Sequence, residues 1–91
     1  MIQDEHRKRA IFTLKQIVRE GLPILYVVHD KDDEWQFLSN GNVSVDDLMI
    51  ISLDEVLNID PSLENILWIP EGTEARRERI GGDWVTAVYS D

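Results

Sequence analysis

The chain has no cysteine. That excludes a disulfide scaffold, a thiolate metal centre and a cysteine nucleophile. Long hydrophobic runs are also missing. The longest, Ile24 to Val28, is five residues, against the roughly 20 that a membrane helix needs. With only two histidines, hydrolytic triads and zinc sites have little to build on. Gly81-Gly82 has neither the spacing of a phosphate-cradling loop nor a following Lys-Ser/Thr. No serine stands in a nucleophile-elbow context. Bases are scarce, 9 Lys and Arg against 18 Asp and Glu, for a formal net charge of −9.

What is present is globular in composition, 43% hydrophobic and 30% charged, which argues against disorder. At 91 residues the expectation is one domain over 1–91 with one modest core, since two independent cores do not fit in this length. The charge is unevenly distributed. Residues 1–19 carry two acids and five bases, residues 20–74 carry 13 acids and one base, Lys31, and residues 75–91 balance at three of each. A body so acidic repels nucleic-acid phosphates and anionic lipid and attracts a basic partner, although solubility alone also accounts for it. Met1 to Arg9 is charged and is followed by no signal-peptide core, so a cytoplasmic protein is expected.

Along the chain, apolar residues at Ala10, Ile11, Leu14, Ile17 and Val18 follow helical spacing. They predict a leading helix over 4–20, ended by Gly21 and Pro23. Ile24 to His29 is apolar in both alternating sets and reads as a central strand covered on both faces. With Trp35 to Ser39 it forms a hairpin around the charged tip Asp30 to Glu34. Leu48 to Ile51 is a third strand. Ser52 and Glu55 have the spacing of a capping box opening a helix over 53–59, and Pro61 can start a further helical turn. Thr73 to Ile80 and Asp83 to Tyr89 pair about Gly81-Gly82. The expected fold is therefore α+β: a leading helix over 1–20, then a mainly antiparallel sheet of about five strands with a central helix pair over 24–89. The last strand is apolar at alternate positions and could serve as a pairing edge, so monomer and homodimer both stay open.

His29, Asp30, Asp32, Asp33 and Glu34 form the densest polar cluster. A carboxylate-rich loop can hold a hard cation, but the calcium-loop pattern fails here. Counted from Asp30, Trp35 stands where glycine is required and Gly41 where glutamate is required. No cofactor and no metal are expected, and His29 reads as a satisfied strand histidine. Trp35 and Phe37 lie two apart on one strand and point the same way. They are either core aromatics or an exposed pair of interface anchors. Arg76, Arg77 and Arg79 read as partners for nearby acids. Asp46/Asp47 and Asp54/Glu55 read as helix starts.

Several segments then fall into a familiar order: Leu25-Tyr26-Val27, Trp35-Gln36-Phe37-Leu38-Ser39, Ile50 to Leu53, Val56-Leu57, Asp60-Pro61-Ser62-Leu63, Pro70 to Arg79 and Gly82-Asp83-Trp84. Over about residues 24–84 the chain resembles a family of small bacterial domains of unknown function, some of whose members are predicted immunity proteins of polymorphic toxin systems. The resemblance implies an α+β fold and no catalytic residues. The expectation is a non-enzymatic protein-binding module for another, basic protein, with neither nucleic acid nor membrane as partner. Toxin neutralisation is one form that such binding takes. Its candidate contact residues are Asp32, Asp33, Glu34, Trp35 and Phe37. The alternative is a small metal-dependent or small-molecule-binding domain using His29, Asp30 and Asp32.

Overall fold

A computed structural model describes residues 5–90. A 3-10 turn, Glu5–Lys8, leads into strand β1 (Ala10–Leu14) and helix α1 (Lys15–Glu20). The hairpin β2 (Tyr26–His29) and β3 (Trp35–Leu38) follows. A second 3-10 turn, Val45–Asp47, precedes β4 (Leu48–Ser52) and α2 (Leu53–Ile59). The third, Pro61–Ile66, precedes β5 (Thr73–Arg76) and β6 (Val85–Val88). The protein is α+β, and all six strands form one mixed sheet in the order β4-β1-β3-β2-β5-β6.

The expected helix over 4–20 is corrected. Residue 4 lies outside the described residues. Most of the remaining segment divides into the 3-10 turn, β1 and the six-residue α1. Ile11, Phe12 and Thr13 are β-branched or aromatic and suit a pleated surface. The spacing of Ile11, Leu14, Ile17 and Val18 fits a helix equally well. Pairing decides between them: β1 is hydrogen-bonded on both sides, antiparallel to β4 and parallel to β3. The sheet is mainly antiparallel as expected, in four of its five pairings, but it has six strands rather than about five, and β1–β3 is a parallel pair. Gly21 ends α1 as expected, with φ of 75° in the left-handed region that glycine enters without strain.

Register then fixes which residues face the core. One row, Met49–Thr13–Phe37–Val27–Ala75–Thr86, crosses all six strands. Its four inner members, Thr13, Phe37, Val27 and Ala75, are completely buried. The polar one, Thr13, donates its hydroxyl proton to the Phe37 carbonyl at 2.7 Å, which satisfies the buried group. Leu53, Val56 and Leu57 of α2, with Leu63, Ile66 and Ile69 beyond it, belong to the same buried cluster. β2 is buried along its whole length, as its doubly apolar sequence requires.

The capping box is present. The Ser52 hydroxyl accepts from the Glu55 N–H at 3.1 Å, and the Glu55 carboxylate accepts from the Ser52 N–H at 2.9 Å. Ser52→Ala should cost about 1 kcal/mol, a fall in Tm of roughly 4–8 °C. Thermal melting checks it, and an unchanged Tm would deny the box any part in stability.

Candidate functional site

The sheet end where β2 turns into β3 gathers the molecule's most unusual side chains. The turn is built by Asp30. Its carboxylate accepts from the N–H groups of Asp32 and Glu34 at 2.9 and 3.0 Å, and its carbonyl accepts from Asp33 N–H at 3.1 Å. Asp30 is therefore committed to the backbone of the tip. Asp33 follows in the left-handed region, with φ of 63°, a conformation aspartate tolerates better than most residues. This twist aims its carboxylate back at β2, where it meets His29 Nε2 at 2.7 Å. Arg9 adds a second contact at 3.4 Å and also donates to the Asp33 carbonyl. The hydrogen bond from His29, and then the Arg9 charge, hold the Asp33 carboxyl below its ordinary value.

His29 is held on every side. Its ring stacks on Trp35 at 4.0 Å and 13°, and Trp35 stacks on Phe37 at 5.8 Å. Nδ1 lies 2.8 Å from the Ile69 carbonyl. A carbonyl can only accept, so Nδ1 carries a proton and donates it. Nε2 is thereby the nitrogen turned to the Asp33 carboxylate. Glu71 completes the cluster. Gly72 N–H donates to the His29 carbonyl at 2.7 Å, which sets the Pro70–Gly72 loop against β2. One donor atom each from His29, Asp33 and Glu71 lies within 4.8 Å of the others. Gly72 makes this turn at φ of 80°, so a side chain there would be strained whatever the space around it.

Two of the expected contact residues are corrected. Trp35 and Phe37 are 2% and 0% exposed. They point into the core because they share a sheet face with Val27 and Ala75, and no partner can reach them. Asp32, Asp33 and Glu34 are exposed. Of the three residues in the alternative reading, Asp30 is taken up by the N–H groups of the turn, and His29 lies with Asp33 and Glu71 rather than with Asp32.

The exposed aromatic is Trp68, 68% accessible. With Pro70, Thr73, Thr86, Ala87 and Val88 it lines a shallow groove beside β6. Val88, 81% exposed, aligns with Thr73, which aligns with His29. Groove and acidic tip thus occupy one end of the sheet. Sequence spacing missed Trp68 because it directly follows the stripe Leu63, Ile66 and Leu67. It missed Glu71 because only the β2–β5 pairing brings 71 to 29.

A separate cleft of about 600 Å³ is lined by Tyr26, Asn40, Arg76 and Arg79 among others. Glu78 and Asp83 also line it, so no field of one sign awaits a phosphate. Arg76 stacks over Tyr26 at 4.1 Å. Burial, reinforced by the Glu74 carboxylate 2.8 Å away, pushes the Tyr26 phenol up to about 12.

Among the described residues, no helix is long and apolar enough to cross a membrane. Comparison with protein-family models, curated proteins and solved structures finds no match to this chain.

Proposed function

We propose that this chain is a protein-binding module that takes a basic partner along β6. One observation carries the reading: Trp68 stands exposed beside an outer strand that bears no charge. Val85-Thr86-Ala87-Val88 has none of the lysine, proline or inward charge that usually protects a sheet edge. Among the described residues no strand pairs with its outer side. Such an edge accepts an extended segment by strand addition, and tryptophan is the residue type most enriched among interface hot spots. The acidic tip at the same end supplies the steering field. A basic toxin domain is the partner that the sequence resemblance implies, and a non-enzymatic inhibitor needs nothing more than this surface.

The test is capture from a lysate of the source organism at low and high salt, with wild type beside Trp68→Ala and Val88→Lys. Wild type should hold a stoichiometric basic protein that high salt weakens. Each variant should lose it at least tenfold while keeping its Tm. A partner that both variants retain would move the interface away from β6. No partner at either salt would end the protein-binding reading. With the partner in hand, Asp32→Lys combined with Glu34→Lys should slow association roughly tenfold at low salt. Asp33 is left intact in that variant because its carboxylate holds the tip to His29.

A further inference from the structure

We infer that His29, Asp33 and Glu71 form a binding site for a divalent transition-metal cation. The inference is independent of the partner reading, since it uses none of β6 or Trp68.

The donor set comes first. One imidazole nitrogen and two carboxylate oxygens lie within 4.8 Å of one another. A cation about 2.0–2.2 Å from each would need donors roughly 3–3.5 Å apart. His29 Nε2 and Asp33 Oδ1 are already 2.7 Å apart and would part slightly to admit an ion in place of their hydrogen bond, while Glu71, an exposed side chain, is the ligand that adjusts to complete the set. An imidazole with two carboxylates suits zinc, cobalt, nickel or manganese. Calcium and magnesium prefer all-oxygen shells.

The second consideration lies outside the three ligands. Metal-binding histidines almost always donate their other ring N–H to a carboxylate or a backbone carbonyl, which fixes the tautomer. Here Nδ1 donates to the Ile69 carbonyl at 2.8 Å, and the Trp35 stack locks the ring plane. Nε2 is turned to the Asp33 carboxylate, whose Oδ1 lies 2.7 Å away, with a Glu71 carboxylate oxygen in the same group. Arg9 holds Asp33 from the far side at both carboxylate and carbonyl, so the carboxylate is oriented as well. The surrounding 20–74 stretch is strongly acidic, which favours any cation over the solvated state. A bound ion would bridge the β2–β3 tip to the loop before β5, joining segments about 40 residues apart in the chain.

The experiment uses the full chain, freed of any histidine tag and stripped with chelator. It is melted with zinc, cobalt, nickel, manganese, magnesium or calcium, and binding is followed by calorimetry. Zinc and cobalt should bind one ion per chain and raise Tm by roughly 10 °C at a hundredfold excess over Kd. Magnesium and calcium should leave it unmoved. His29→Gln disturbs a buried stack and so tests folding together with binding; the deciding variant is therefore Glu71→Gln, at an exposed position. It should keep the metal-free Tm and lose affinity at least tenfold, while Asp32→Asn keeps full affinity. No binding by any transition metal would overturn the site. So would undiminished binding in Glu71→Gln, or an equal loss in Asp32→Asn, because either result would assign the ion to general surface charge.

Discussion

Arg77→Met should unfold much of this protein's margin of stability. Arg77 is an ionised side chain buried in the structure. Its Nε and Nη2 both donate to the Ile24 carbonyl, Nη1 donates to the Ser62 hydroxyl, and Nη2 meets Asp60 Oδ2 at 2.6 Å. The guanidinium also stacks on Trp84 at 4.3 Å. Asp60 in turn accepts from the Ser62 N–H and hydroxyl, and so caps the turn Pro61–Ile66. Methionine fills much of the volume but leaves the Asp60 carboxylate buried and without its counter-charge. Breaking a buried pair from one side costs about 3–5 kcal/mol, from a total of roughly 5–14 kcal/mol for a chain of this length. Tm should fall by at least ~12 °C. Adding Asp60→Asn to Arg77→Met should recover part of the loss, because the second change removes the stranded charge.

The pair also sets an acid dependence. Burial alone would raise the Asp60 carboxyl, but hydrogen bonds from Ser62 and Arg77 outweigh it and hold the group below its ordinary value of 3.8. A carboxyl depressed on folding adds stability above the unfolded value and loses it as pH falls through the folded one. The wild type should therefore lose this contribution only below about pH 4. In Arg77→Met the unpaired carboxyl moves the other way, and that variant should gain relative stability as pH drops from 7 to 4. Melting curves at the two pH values check both signs. A variant within 2 °C of wild type at pH 7 would mean that the pair contributes almost nothing.

Local chemistry was legible where local contacts decide. The Ser52/Glu55 box, the Gly21 stop, the tip of the β2–β3 hairpin and the turn after Asp60 each depend on residues a few positions apart, and each stands where the sequence placed it. What stayed hidden depends on distant pairing. Ala10 to Leu14 satisfies a helical and a pleated pattern alike, and only β3 and β4 on its two sides choose the strand. Glu71 has no local motif, since its place beside His29 comes from a hydrogen bond spanning 43 residues. Arg77 read as one of three clustered bases with nearby acids for partners. Its partner, Asp60, proved to be a turn cap seventeen residues away rather than a cross-strand neighbour.

The aromatic pair is where the two sequence readings divide, and there the structure makes its second large prediction. Phe37 belongs to the row that crosses the sheet and is completely sequestered, and Trp35 is stacked between it and His29. Truncating a buried aromatic costs about 3–5 kcal/mol, from lost transfer energy and the cavity left behind. Phe37→Ala and Trp35→Ala should each lower the denaturant midpoint by that equivalent. The two rings touch, so the double variant should deviate from additivity by about 0.5–3 kcal/mol. Trp35→Ala should also free the His29 ring and weaken its hold on Asp33, so amide exchange should quicken at the 30–34 tip before it does in β1. Interface anchors would behave in the opposite way, losing partner capture while the midpoint holds. A Trp35→Ala protein with an unchanged midpoint and no captured partner would return the binding surface to β3. The burial of both rings assigns that behaviour to Trp68→Ala instead.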